Sequence, residues 1–249
     1  MGLPRVAVPE YSLKLPSNKK EIKYRPFLVK EEKLLLIAME GKKEDEILDA
    51  VKQVIENCII GDVNVNTLPM FDIEYIFLWL RAKSKGEIIE LKYTCPKCEG
   101  QVPVGFNIED VKMHYDKAHS TKVEITDQLG VVLKYPDVEL QKQIANLPED
   151  LSEIDMIFKT VLMCIDYIYD GETVYSNKDH TEKEMMDFLE SLTDEQLQKL
   201  SIFYETMPKL KHTIKLECKN KVKGEGKKKD KVCGYTEDLE LEGLASFFE

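Results

Sequence analysis

Ile89-Glu90-Leu91-Lys92-Tyr93-Thr94-Cys95-Pro96-Lys97-Cys98 alternates apolar and polar side chains and runs into two cysteines separated by two residues. Far downstream, Thr213-Ile214-Lys215-Leu216-Glu217-Cys218 repeats the alternation and also ends at a thiol. A period of two is the mark of a half-buried strand. The two-residue spacer lets both thiolates of one tight turn face a single Zn²⁺ at a Zn–S distance of about 2.3 Å. Cys233, followed by Gly234-Tyr235 and the alternating Leu239 and Leu241, offers a fourth sulfur. Cys95, Cys98, Cys218 and Cys233 therefore predict a zinc ribbon made of two hairpins. The second spacer runs for fourteen residues, Lys219 to Val232. It reads as an insertion at a loop tip, where closure entropy rises by only ~0.6 kcal/mol per doubling of length. An ion held by four thiolates has no open position for water, so its role would be structural.

Two other readings stand beside this one. His114 and His119, four residues apart, could complete a site with two cysteines and two histidines. Their fifteen-residue spacer from Cys98 exceeds the usual ~12, and Cys218 and Cys233 would be orphaned. The third reading has no metal at all. Cys58 and Cys164 lie on or beside apolar helical faces and read as core.

On either side of the cysteine segments the pattern is mostly helical. Residues 1–28, with Pro4, Pro9, Pro16 and Pro26, read as edge strands or an extended arm. Glu31 to Met39 and Glu44 to Ile60 read as helices, the second with Ile47, Leu48, Val51, Val54, Ile55, Cys58 and Ile59 along one face. Asp72 is placed to cap a buried helix that runs to about Lys83 and ends at Gly86. Residues 122–135 predict a hairpin in which Val123 and Ile125 face Val131 and Leu133. Leu151 to Tyr169 reads as one continuous helix. Thr181-x-x-Glu184 and Thr193-x-x-Gln196 are capping boxes that open two short helices. The expected class is α+β, a helical body with a small antiparallel, zinc-ribbon-like β region. Its expected parts are an arm and helices at 1–87, hairpins at 88–135, helices at 136–210, and a second cysteine hairpin at 211–249 that packs on 88–106.

With 249 residues, 43% of them apolar and 33% charged, the chain is neither disordered nor collagenous. Its longest apolar runs, Leu34 to Met39 and Tyr75 to Leu80, are six residues, against the ~18 that a membrane span needs. The start MGLPRV shows no export or lipidation signal, so a cytoplasmic location is expected. A net charge of −11 disfavours broad contact with nucleic acid or anionic lipid. The exception is local: Lys219 to Lys231 holds seven lysines against Glu225 and Asp230, read first as a solvated loop and second as a contact for phosphate or an acidic partner. No phosphate loop, dinucleotide fingerprint, nucleophile elbow or HExxH motif occurs, and the chain is not expected to be an enzyme.

Three stretches carry a resemblance: Tyr24-Arg25-Pro26-Phe27-Leu28-Val29-Lys30-Glu31-Glu32-Lys33; Leu68-Pro69-Met70-Phe71-Asp72-Ile73-Glu74-Tyr75-Ile76-Phe77-Leu78 with Arg81-Ala82-Lys83-Ser84-Lys85-Gly86-Glu87; and the CPKC turn. They resemble the baseplate hub proteins of T-even-like bacteriophages, a family with a hub subunit and a longer paralogue described as a hub assembly catalyst. The likeness is close over residues 3–106 and loose at the second cysteine pair, where the long insertion departs from the pattern. It implies a non-enzymatic assembly factor for the hub of a contractile tail, working on other hub proteins in the cytoplasm of the infected host. The alternatives are a permanent hub subunit in the virion baseplate, or a zinc-ribbon regulator that binds nucleic acid through the lysine-rich loop. Arg25 and Phe27, flanking Pro26, are candidate docking residues, since Arg and aromatics are enriched at interface centres. The competing reading makes Phe27 core and pairs Arg25 with a nearby acid.

Overall fold

The computed structural model describes residues 6–41, 43–148, 150–222 and 231–243. In chain order the strands are β1 (Tyr11–Lys14), β2 (Glu21–Tyr24), β3 (Ile59–Ile60), β4 (Ile88–Thr94), β5 (Gln101–Asn107), β6 (Lys112–His114), β7 (Lys122–Glu124), β8 (Leu129–Leu133), β9 (Ile165–Asp170), β10 (Thr173–Ser176), β11 (Lys209–Glu217), β12 (Lys221–Val222), β13 (Lys231–Val232) and β14 (Thr236–Glu242). The helices are α1 (Val29–Gly41), α2 (Glu44–Cys58), α3 (Met70–Lys85), α4 (Val138–Ala145), α5 (Glu153–Cys164), α6 (Glu182–Glu190) and α7 (Asp194–Thr206). All sheet pairings are antiparallel, and the class is α+β. The chain divides into two compact units: unit 1 is Met1–Val63, Phe71–His114 and Lys209–Glu249, and unit 2 is Asn64–Met70 and Tyr115–Pro208.

Unit 1 is built on α2 and α3. The apolar stripe of α2 puts Val51, Val54, Ile55 and Cys58 fully inside, as its spacing predicts. The helix stops at Cys58, and Ile59-Ile60 pairs with β2 instead of extending it. Around α3, Phe71, Ile73, Ile76, Phe77, Leu78 and Leu80 are buried, and Gly86 at φ +110 ends it in a conformation that costs glycine little. Asp72 is not its cap. The helix begins at Met70, and the fully buried Asp72 carboxylate accepts hydrogen bonds from the Ser17 backbone N–H at 3.0 Å and from the Ser17 hydroxyl. It thereby fixes the turn between β1 and β2. Burial raises its affinity for a proton above that of an ordinary aspartate.

Two hairpins complete unit 1. In β4–β5, Ile89 faces Phe106 and Leu91 faces Val104. In β11–β14, Ile214 faces Leu239 and Leu216 faces Glu237. Their inward residues Ile89, Leu91, Val102, Val104, Ile214 and Leu216 share one apolar cluster with Leu78 and Ala82 of α3.

Unit 2 has its own core. The sheet order is β10-β9-β8-β7, and its inner residues Val131, Leu133, Ile165 and Ile168 pack with Leu140, Val161, Leu189, Leu200 and Phe203 from the helices. Both capping boxes form, with Thr181 and Glu184 opening α6 and Thr193 and Gln196 opening α7. Two expectations need correction. Leu151 to Tyr169 is not one helix, because α5 stops at Cys164 and Ile165–Asp170 becomes β9. β-branched and aromatic residues suit a strand, and here Ile168 finds Val131 and Tyr167 finds Val132 across β8. In the 122–135 hairpin Val123 does face Val131. Ile125, however, lies in the turn, giving its N–H to Leu129 O at 2.9 Å, and Leu133 faces Ile165.

Candidate metal centre

The two hairpins of unit 1 each end in a tight turn carrying cysteines, and the turns have the same backbone design. In the first, Cys95 N–H donates to Gly100 O and Glu99 N–H donates to Cys95 O, at 3.0 and 2.8 Å. In the second, Cys218 N–H donates to Tyr235 O and Gly234 N–H donates to Cys218 O, at 2.8 and 3.1 Å. The residue after the second cysteine is left-handed in both, Glu99 at φ 57 and Gly234 at φ 64. The long spacer leaves this frame intact. Cys233 N–H donates to Asn220 O at 2.8 Å, and β12 pairs with β13, Lys221 opposite Val232. The two ends of the insertion are thus paired with each other, and Cys218 and Cys233 stay together. Residues 223–230, which hold the centre of the lysine-rich loop, lie outside the described residues.

Across the turns, Cys95 Sγ lies 3.8 Å from Cys233 Sγ and Cys98 Sγ lies 3.6 Å from Cys218 Sγ. All four sulfurs fall within 4.8 Å of one another. A disulfide would bring a pair to about 2.05 Å, and all six cysteines are free thiols. Four sulfurs placed ~2.3 Å from a central ion at the corners of a tetrahedron would be about 3.8 Å apart. The Cys95–Cys233 and Cys98–Cys218 separations fit that figure, and the set could hold a thiophilic metal ion.

Backbone N–H groups support the thiols. Gly100 directs its N–H at Cys98, Asn220 at Cys218 and Tyr235 at Cys233, in each case the residue two positions on. Donors of this kind favour the thiolate. The Gly100 N–H outweighs the opposing desolvation at Cys98, the one partly exposed thiol of the four, and brings it down to about 7. At Cys218 burial dominates and pushes the thiol up to about 12, and burial raises Cys233 too. Two side chains tie the halves together beyond the sulfurs. Asn220 Nδ2 donates to Gln101 O at 3.2 Å and approaches Cys98 Sγ at 3.8 Å, and Lys97 Nζ donates to Cys233 O at 3.1 Å. A Cβ at Gly100 would lie 2.5 Å from Asn220 Nδ2, so a larger residue there would push that amide aside. Sequence reasoning missed Asn220 and Gly100, though their shared offset of two residues after a cysteine was there to be read.

The other candidates have different roles. Phe27 is buried. Arg25 Nη2 donates to Glu31 Oε1 at 3.0 Å and to Asn57 O at 2.8 Å, and Nη1 donates to Pro26 O at 3.0 Å. Burial alone would raise the Glu31 carboxyl, but the Arg25 guanidinium and the Leu28 N–H prevail and hold it below the usual range. Both residues therefore take the arrangement of the competing reading, core and ion pair. His114 and His119 are not brought to Cys95 and Cys98. His114 lies on β6 in unit 1. His119, in unit 2, has its ring nitrogens at 2.9 Å from Thr206 Oγ1 and 2.7 Å from Tyr135 OH. Cys58 and Cys164 are buried, and burial raises both thiols. No helix among the described residues is long and apolar enough to cross a membrane.

Twin cysteine turns in one unit and a helix-covered sheet in the other define a two-unit α+β protein. Residues 8–249 match the family of T4 bacteriophage base plate proteins, and the chain belongs to that family. No curated protein and no solved structure matches it.

Proposed function

We propose that the chain is an assembly factor for the central hub of the phage baseplate, acting by binding other hub proteins in the infected host's cytoplasm and not by catalysis. Membership of the base plate family over residues 8–249 is the observation that carries this reading. The hub likeness of residues 24–33 and 68–87 supports placing it at the hub. The absence from the sequence of phosphate-binding, nucleophile and metalloprotease motifs supports a binding role.

The ion we propose at Cys95, Cys98, Cys218 and Cys233 is Zn²⁺. It supplies folding free energy and a fixed link between the two hairpins, and with four protein sulfurs it leaves no position for a reacting water. Elemental analysis tests this: one zinc per chain is expected, and none would overturn it.

Co-expression of the chain with each other hub protein of its phage, followed by pull-down, tests the assembly role, and failure to form a complex with any of them would sink it. A second reading, a permanent baseplate subunit, is favoured by the family's description as base plate protein. Mass spectrometry of purified virions separates the two. An assembly factor is absent from mature particles, and a subunit is present in stoichiometric amount.

A further inference from the structure

We infer that the N-terminal half of α5 is a docking face for a basic, amphipathic segment of another baseplate protein. This deepens the hub-binding reading and rests on it. Residues 154, 157, 161 and 164 form one stripe of α5, spaced by three, four and three residues. The C-terminal half of the stripe is core, with Val161 1% and Cys164 0% exposed. Its N-terminal half carries the same kind of side chain into solvent, with Ile154 67% and Ile157 48% exposed and Met156 beside them also exposed. Isolated surface apolar residues are ordinary, but a run continuous with a core stripe marks a surface that a partner covers.

Charge identifies the chemistry of that partner. Asp150, Glu153 and Asp155 surround the patch and are exposed. Unit 2 holds 20 acidic residues against 8 basic ones, net −12, while unit 1 holds 26 against 27, net +1. The chain's whole negative charge thus belongs to the unit that bears the patch. Acids in the first turn also suit the helix dipole, but that does not account for two exposed isoleucines among them. On a neighbouring stripe of α5, Lys159, Leu162 and Met163 line a cavity of about 250 Å³ together with the apolar Leu147 and Met185 and the polar Asn177, His180 and Glu182, room for one anchor side chain with a polar end. Apolar anchors flanked by Lys or Arg complement this face, in the way an amphipathic helix seats in a groove. The exposed Leu36 and Ile37 of α1 offer no such direction, since Lys33 and Glu40 beside them cancel.

The test uses the full chain co-expressed with each other baseplate protein of its phage. Wild type is compared with Ile154→Glu/Ile157→Glu and with the control Leu36→Glu/Ile37→Glu, and melting temperature confirms that each variant folds. The α5 variant is expected to weaken the complex at least ~tenfold, and so is raising NaCl from about 0.1 to about 0.5 M; the α1 control should bind as wild type. Hydrogen exchange on the wild-type complex should show residues 150–158 protected. A complex indifferent to the α5 substitutions, or one that leaves 150–158 unprotected, overturns this inference and spares the hub reading. No complex with any baseplate protein overturns both. Self-association abolished by the α5 variant would make the occupant a second copy and also overturn it.

Discussion

Unit 2 closes its four-stranded sheet with helices alone: Leu200 and Phe203 of α7, Leu189 of α6 and Val161 of α5 cover Val131, Leu133 and Ile165. The two hairpins of unit 1 pack against α3, and at their tips the chain places four thiols. Both units contain buried cysteines, yet Cys58 and Cys164 lie apart on helices, with Arg25 and Tyr204 as neighbours, while the other four form a cluster. The difference lies in the backbone. Only a turn that delivers two thiols with N–H donors behind them builds a site, whereas a cysteine on a helix face is packed and inert.

That contrast can be broken by experiment, and the largest effect should come from the cysteines. Cys218→Ser, or treatment with a strong chelator, should destabilise unit 1 by on the order of 5 kcal/mol and expose the amides of β4, β5, β11 and β14 to exchange. The protection of β8 and β9 should be retained. Equal loss in both units would show that the units do not differ in this way.

The converse substitution is Phe203→Ala, which empties a fully buried site in unit 2. A cost of about 3–5 kcal/mol is expected, read by chemical denaturation, with the metal content of the protein unchanged.

A finer comparison lies within unit 1, between its two turns. Gly234→Ala places a Cβ at φ 64 and should cost ~1–2 kcal/mol. Glu99→Gly relieves the same conformation in the first turn and should cost nothing or stabilise by up to ~1 kcal/mol. Thermal melts of the two variants give opposite signs if the turns are equivalent.

The smallest expected effect is on pH. His119 binds its proton less readily in the fold than in the unfolded chain, chiefly because it is desolvated, with Asp116 opposing. As pH falls below the ordinary histidine value of about 6.5, the unfolded chain takes up a proton that the folded one resists, so unit 2 should lose stability between pH 7 and pH 5. His119→Gln should flatten that dependence, and a melting temperature that rises on acidification in the wild type would contradict it.

Much of this contrast is legible before any coordinates. The β4–β5 hairpin, the capping boxes of α6 and α7, the stripe of α2 and the glycine stop of α3 are all written in local spacing, because each depends on neighbours within a turn or two. The pairing of Cys95 with Cys98 was readable for the same reason, whereas their meeting with Cys218 and Cys233 was read from the likeness of two distant strands that each run into a thiol. What spacing misjudged were residues whose surroundings come from elsewhere. Ile165 to Tyr169 satisfies a helical period as well as a strand, and only the free edge of β8 selected the strand. Asp72 looks like a helix cap until Ser17, from a distant turn, claims its carboxylate.

By itself, the amino-acid order determined which segments are amphipathic, where capped helices start, and that Cys95 and Cys98 share one turn, because such properties are set by residues within hydrogen-bonding reach along the chain. Tertiary structure alone decided that Arg25 turns inward to Glu31, that the ends of the fourteen-residue insertion pair so that Cys218 and Cys233 stay together, and that α5 ends its apolar stripe in solvent. Those outcomes depend on which surfaces meet across long separations in sequence. That is a competition among whole-chain packings, and no local pattern encodes its winner.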